Sequence, residues 1–131
     1  MTLIAWNDGL KLGLGFQDAD HEESVRLMNA MQTCSDAELP ARFAQHLEHL
    51  REHLARENEL MERIGFFAIE IHMGEHERVL AEQDAILAKL TAGDVAAARN
   101  YVQEDLPAWF LGHLQSMDAM TAQFALQRGE H

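Results

Sequence analysis

The spacing of apolar side chains along the chain predicts four helices. In the first, from about Asp20 to Thr33, valine and methionine recur every three residues, as on a buried helix face. The second runs from about Ala41 to Ile64, and Gly65 follows it as a typical helix stop. It carries one broad apolar stripe, made of Phe43, Leu47, Leu50, Leu54, Leu60, Met61 and Ile64.

The second half of the chain repeats this helical pattern twice. The third predicted helix extends from about Ile69 to Leu90 and ends at a turn that contains Gly93. The fourth runs from Val95 to about Gln127. A break or kink is predicted near Asp105 to Pro107, because proline lacks the amide proton that a helix interior uses. The first sixteen residues look extended, and their apolar side chains are expected to close one side or end of the molecule: Trp6, Leu10, Leu12 and Phe16.

No alternation typical of β-strands competes with these segments. Four amphipathic helices joined by short turns pack most simply as an up-down-up-down four-helix bundle, so the predicted fold class is all-α with an extended N-terminal segment. A chain of 131 residues has the size of one ordinary domain. Residues 1–131 are therefore expected to form a single domain that acts as a monomer.

Composition and charge exclude several classes of partner. The 22 acidic and 10 basic residues give a formal charge of −12, which opposes binding to nucleic acid or to anionic membranes. No apolar run is long enough for membrane insertion, and the N-terminus lacks the pattern of a secretion signal, so a cytoplasmic location is expected. The single cysteine, Cys34, is expected to be a buried or half-buried residue near a helix end.

Two pairs of metal-binding residue types stand at helical spacing. Residues four apart on a helix are separated by about 40° around the axis and about 6 Å along it, so both side chains can face one ion. His72 and His76 form such a pair on the third predicted helix, and His53 and Glu57 form one on the second. Either pair alone is commonly a solvated surface feature, so neither defines a site by itself.

The other two helices add further donors. His113 and Asp118 are five apart, about 140° in angle, so they are expected to flank a site with more than one metal rather than to point along one line. His21 begins the first helix. Five imidazoles and two carboxylates are too many for one tetrahedral zinc. Nitrogen and oxygen donors without thiolate suit iron, manganese or another borderline divalent ion.

The order of these motifs resembles the hemerythrin family, in particular its bacterial single-domain members, over nearly all of the chain. The N-terminal part shares a tryptophan, a glycine and an aspartate three residues before a histidine: Trp6, Gly13, Asp18 and His21. The helices resemble the family's HxxxE, HxxxH and HxxxxD motifs in His53 to Glu57 with Met61, in His72 to His76, and in Trp109 followed by His113 to Asp118.

The resemblance implies a centre of two iron ions that binds dioxygen reversibly. Three imidazoles are expected on one iron and two on the other, with both carboxylates and an oxo or hydroxo group as bridges: His72, His76 and His113 on the first, His21 and His53 on the second, Glu57 and Asp118 between them. The second iron is then one ligand short, which is the position for dioxygen. An apolar wall is expected around that position, made of Trp109, Phe110 and Leu114, with Leu114 as a candidate gate.

Some positions depart from the family pattern or compete with it. Leu54 and Asn58 stand where members often have an aromatic residue and a second acid, which is expected to affect the shape of the pocket. His49 lies on nearly the same face as His53, so a role beside the ligands stays open. His46 is expected to be partly solvated, and His131 to lie at a frayed end.

Three functions remain open at this point. An oxygen carrier is the first, and no sequence feature identifies an oxygen-consuming partner for it. The second is a di-iron enzyme of the oxidase, peroxidase or nitric oxide reductase type, which would need protons to reach the bound ligand. The third is a domain that senses oxygen or iron and acts through a separate partner.

Overall fold

The computed structural model describes residues 3–131, and within that range the fold consists of four helices without β-strands. The first three are α1, Gly15–Thr33; α2, Leu39–Ile64; and α3, Ile69–Thr91. The fourth, called α4 below, covers residues 95–126 in five consecutive segments: Val95–Asn100, Tyr101–Asp105, Leu106–His113, Leu114–Asp118 and Ala119–Leu126. Each helix packs on the next along the chain, which confirms the predicted all-α bundle. None of these helices combines the length and the apolar character needed to cross a bilayer.

The first helix begins earlier than the sequence pattern predicted, at Gly15 instead of about Asp20. Its buried residues in the first turns are Gln17 and His21, which are polar, so no apolar periodicity marks them. The carboxylate of Asp18 accepts hydrogen bonds from the backbone amides of Leu12, at 2.7 Å, and Gly13, at 3.1 Å. These bonds tie the preceding loop to the start of α1.

The N-terminal segment packs against α1 and the main core, which agrees with the expectation that its apolar residues close one side of the molecule. Asn29 of α1 accepts from the Ile4 amide at 3.0 Å and donates to the Ile4 carbonyl at 2.8 Å. Trp6, Leu10 and Leu12 pack against the main hydrophobic core. A single-turn 3₁₀ helix, Asp8–Leu10, interrupts the otherwise extended segment.

The second helix provides the central wall of the core. Six of the seven residues in its predicted apolar stripe are buried: Phe43, Leu47, Leu50, Leu54, Leu60 and Met61. Gly65 ends the helix with φ of 66°, a left-handed conformation that favours glycine, and the Phe66 amide donates to the Met61 carbonyl at 3.0 Å. The sequence therefore predicted both the buried face and the end of α2 correctly.

Of the break or kink predicted near Pro107, a break is not present, and the helix is irregular just before the proline. The chain stays helical there, but residues Tyr101–Asp105 form a π turn in which the Leu106 amide donates five residues back, to the Tyr101 carbonyl. Pro107 then occupies one of the first two positions of the segment Leu106–His113. The missing amide proton of proline costs least at the start of an α-helical segment, so the helix continues through this residue.

A second polar layer lies inside the bundle, and it overturns the prediction for His46. This histidine is 2% exposed, not partly solvated. His46 stands seven residues before His53 on α2, and the buried Gln83 stands seven residues after His76 on α3, so each faces inward two turns from those histidines. Tyr101, 4% exposed, adds a phenol to the same interior, where its hydroxyl donates to Glu82 at 3.4 Å.

Candidate metal centre

Seven buried donors from the four helices converge inside the bundle. A first group places one ligand atom from each member within 4.8 Å of all the others, and it consists of Glu57, His72, His76, His113 and Asp118. A second group meets the same distance and consists of His21, His53, Glu57 and Asp118. The structure therefore brings all seven predicted ligands together, in two groups that share both carboxylates.

Asp118 reaches both groups with different oxygens. Its Oδ1 lies 3.1 Å from Nε2 of His72 and 3.1 Å from Nε2 of His113, which belong to the first group. Its Oδ2 lies 3.0 Å from Nε2 of His21, which belongs to the second group. The aspartate thus has the orientation of a bridge between two neighbouring positions.

Glu57 repeats this arrangement from the opposite helix. Its Oε1 lies 3.3 Å from Nε2 of His76 in the first group, and its Oε2 lies 3.3 Å from Nε2 of His53 in the second. Gln17 of α1 holds the carboxylate in place, because its side-chain amide donates to Glu57 Oε2 at 2.7 Å. Each carboxylate therefore presents one oxygen to each group.

Several of these short contacts lack the direction of a hydrogen bond. Nε2 of His21, His53 and His76 and Oε1 of Glu57 are buried without a hydrogen-bond partner among the residues that the structure describes. Leaving such atoms buried and unpaired is costly. A cation placed between them would satisfy all of them, and imidazole and carboxylate donors without thiolate suit a borderline ion such as iron. The donors present thus fit a pair of metal ions.

A π turn aligns the two donors of α4. Residues Leu114–Asp118 form a π turn, in which the Ala119 amide donates five residues back, to the Leu114 carbonyl. Residues five apart then lie on one face, and His113 Nε2 is within 3.1 Å of Asp118 Oδ1. The prediction that these side chains cannot share one direction was wrong, because it assumed a regular α-helix between them.

Three of the imidazoles are oriented through their second nitrogen. Each Nδ1 lies 2.8 Å from an oxygen of a neighbouring side chain, which leaves Nε2 directed at the carboxylates. The partners are Asp20 for His53, Asn58 for His76, and the hydroxyl of Thr121 for His72. Arg56 anchors Asp20 in turn, with Nη2 2.8 Å from its carboxylate.

The imidazoles keep both buried carboxylates ionised. Burial and the charge of Asp118 oppose ionisation of Glu57, but contacts with His53 and His76 outweigh them and lower the pKa of Glu57. Burial likewise disfavours the Asp118 anion, yet the three imidazoles around it hold its pKa well below the usual value. Burial also acts against charge on His53, but Glu57 and Asp20 raise the pKa of His53 to about 10. The site therefore favours the anionic carboxylates that metal binding requires.

A small cavity of about 10 Å³ adjoins the second group, with room for one molecule the size of water. Four of the donors line it, namely His21, His53, His113 and Asp118. The rest of its wall is Ser24, Leu50, Leu54, Trp109 and Phe110. The predicted pocket residues Trp109 and Phe110 are in this wall, whereas Leu114 is 1% exposed within the main core.

Trp109 is fixed at both ends. Its indole stacks on the His113 imidazole, with ring centroids 4.8 Å apart and an interplanar angle of 16°. Its N–H donates to Glu75 at 3.0 Å, so the polar atom of the indole is already bonded. The ring therefore gives the cavity an apolar surface and supports the imidazole beside it.

His49 supports the site from outside. It is half-buried, and its Nε2 lies 3.1 Å from the backbone carbonyl of Asp20, the residue whose side chain orients His53. His49 is outside both donor groups, and its contact is with the backbone of the residue that orients His53.

Sequence reasoning missed most of the residues that hold the donors. They stand beside a predicted ligand or three to four residues from one on the same helix, where helical geometry places them on a neighbouring surface. The set is Gln17, Asp20, Asn58 and Thr121. Asn58, expected to affect only pocket shape, instead accepts a hydrogen bond from His76. Their polar side chains, at these spacings from the predicted ligands, were the sequence signal that could have identified them.

Comparison with known proteins gives consistent relatives. The chain is 35% identical over 129 residues to a bacteriohemerythrin of Ralstonia nicotianae, covering 98% of this chain and 93% of the relative. A bacteriohemerythrin of Aquifex aeolicus is 29% identical, with coverage of 92% and 96%. A crystal structure of a hemerythrin mutant superposes with a TM-score of 0.86 at 18% identity, covering 95% of this chain and 98% of the other. No model of a known protein family matches the sequence.

Proposed function

The chain belongs to the bacteriohemerythrin family, and on that premise we propose that it holds two iron ions and binds dioxygen reversibly. The observation that carries the proposal is the overlap of the two donor groups, which share Glu57 and Asp118. A single-metal site has no use for two sets of imidazoles around shared carboxylates. Two ions with both carboxylates as bridges use every donor.

The unequal number of imidazoles supports a place for an external ligand. Three imidazoles belong to the first group and only two, His21 and His53, to the second. Both of these histidines line the small cavity, whereas only His113 of the three in the first group does. An ion held by the second group would have fewer protein ligands, and the cavity offers space for the missing one.

The wall of this cavity supports binding rather than turnover. Two iron ions held here would supply the electrons with which dioxygen is bound and would take them back when it is released. Ser24 has the one hydroxyl among the non-donor residues of this wall, and a serine hydroxyl is too weakly acidic to protonate a ligand readily. Leu50, Leu54 and Phe110 contribute no proton donor, and the Trp109 N–H is already bonded to Glu75. Such a wall excludes water and acids that would divert a bound ligand into irreversible chemistry. Leu114, packed in the core next to His113, remains a proposed gate.

The decisive experiment combines metal analysis with optical spectroscopy. Protein produced in iron-replete cells is expected to contain two iron ions per chain. The reduced protein should gain visible absorption in air and lose it again on deoxygenation, through several cycles. One zinc ion per chain would contradict the di-iron proposal. Irreversible bleaching with formation of a product would favour an enzyme of the oxidase or peroxidase type, and a change in partner binding would favour a sensor.

A matched pair of variants tests the ligand assignment in the same assay. Glu57→Gln keeps the size of the side chain but removes the charge of a proposed bridge, so iron content should fall to less than half of wild type. His49→Gln replaces a side chain that belongs to neither donor group and bonds to the Asp20 backbone carbonyl, and iron content should stay near two. Equal iron loss in both variants would show that the proposed ligand set is wrong.

A further inference from the structure

One residue with a hydroxyl group, Ser24, is among the residues that line the cavity. This residue stands on α1 one turn after His21, is 2% exposed, and lines the cavity. Leu50, Leu54 and Phe110 have no polar side-chain atoms, and the Trp109 N–H donates to Glu75 at 3.0 Å. Among the described lining residues that are not proposed metal ligands, Ser24 is thus the one whose polar side-chain group has no hydrogen bond to another residue.

The size of the cavity makes this hydroxyl important for any occupant. A space of about 10 Å³ holds one group the size of water, so an atom placed in it lies close to the residues of the wall. The imidazole of His53 already uses its Nδ1 for Asp20. The His21 imidazole directs Nε2 at Asp118, so its Nδ1 lies on the other side of the ring. Among the described lining residues, Ser24 is therefore the one whose hydroxyl is available to donate to the outer atom of a ligand.

We propose that the Ser24 hydroxyl donates a hydrogen bond to the ligand bound in this cavity, and that this bond strengthens the binding of ligands whose outer atom carries negative charge once they are bound. This inference rests on the proposed function, because it takes the cavity to be the ligand position of the metal centre. A hydrogen bond to a charged acceptor is stronger than one to a neutral acceptor, especially where water is excluded. The hydroxyl thus makes Ser24 a specificity-determining residue in an otherwise apolar wall.

Azide is a suitable probe, since it is small, linear and charged. Its dissociation constant would be measured by optical titration of the oxidised, iron-loaded protein for wild type, Ser24→Ala and Ser24→Cys. Loss of a hydrogen bond to a charged group predicts about 10- to 100-fold weaker azide binding for Ser24→Ala. Ser24→Cys keeps the shape with a weaker donor and should fall between the two.

Two controls separate this role from a structural one. Thr33→Ala removes a hydroxyl from the exposed end of the same helix and should leave azide binding unchanged. Iron content and the melting temperature of the metal-free protein should be the same in Ser24→Ala and wild type. The infrared stretch of bound azide should shift between H₂O and D₂O in wild type and not in Ser24→Ala.

Each outcome bears on a different claim. Unchanged or tighter azide binding in iron-loaded Ser24→Ala would overturn the inference and leave the proposed function intact. Loss of iron from Ser24→Ala would show that the hydroxyl orients His21 instead, which also overturns it. A wild-type protein that takes up no iron would overturn both the proposed function and the inference that rests on it.

Discussion

At the scale of single residues, two histidines of α2 show how neighbours decide the state of a buried group. His46 and His53 are seven apart, face the same interior and are 2% and 3% exposed. Burial disfavours the charge on His53, but Glu57 and Asp20 raise its pKa to about 10. Burial and the nearby His49 lower the pKa of His46 to about 4, because no carboxylate compensates. The same residue type is thus favoured in its protonated form at one level and in its neutral form at the other.

The state of His46 predicts a loss of stability in mild acid. The unfolded chain takes up a proton at this residue below about pH 6.5, whereas the folded protein resists it until about pH 4. The free energy of unfolding should therefore fall as pH drops through this window, by about 2 kcal/mol at pH 5 relative to a variant without the group. Denaturant unfolding of wild type and His46→Gln at pH 7.5 and pH 5 measures the difference. Parallel pH curves for the two proteins would refute this assignment, since all other titrating groups are common to both.

At the scale of elements, α4 is the helix whose regular geometry is interrupted near the site. Two π turns, Tyr101–Asp105 and Leu114–Asp118, divide it, the first just before Pro107 and the second between two donors. Each π turn adds a residue to one helical turn and rotates everything beyond it. The second π turn therefore sets the direction of Asp118 relative to His113, and it is the local feature on which the shared carboxylate depends.

Adding one residue to this π turn should damage the site while the bundle persists. An alanine inserted after the exposed Gln115 removes no core side chain, but it places His113 and Asp118 six residues apart and turns Asp118 by about a further 100°. Iron content is expected to fall to one ion or fewer per chain, with far-UV circular dichroism still helical. Deleting Gln115 instead leaves the two donors four apart, about 40° around an α-helix, and should retain both ions. Full iron loading of the insertion variant would show that the spacing of these donors is unimportant.

At the scale of the whole molecule, the bundle encloses a charged centre that it does not neutralise by itself. Glu57 and Asp118 are 0% and 3% exposed, and several of the surrounding nitrogens have no hydrogen-bond partner among the described residues. Burial of such groups is expensive unless an ion or a proton compensates. The donors come from all four helices, so an ion bound by them would hold the helices to one another.

Metal removal is therefore expected to destabilise the fold. Chelation should lower the melting temperature by roughly 10 °C or more, the size expected when a ligand is present at about a thousand times its dissociation constant. Thermal unfolding followed by circular dichroism, with and without chelator, measures the shift. Glu57→Gln should show a much smaller response to the chelator. Identical melting temperatures for the metal-free and metal-loaded wild type would contradict this prediction.

The sequence by itself determined the elements and the chemical types of the donors. The apolar stripe of α2 and the helical spacing of the donor pairs follow from periodicity. The end of α2 follows from the glycine at position 65. Both are local properties of the chain. The tertiary structure alone decided which side chains of different helices contact one another. It paired His53 with Asp20 and His76 with Asn58, buried His46, and aligned His113 with Asp118 through a π turn. These outcomes depend on the rotation and axial offset of packed helices, and the spacing of residues within one helix does not encode either quantity.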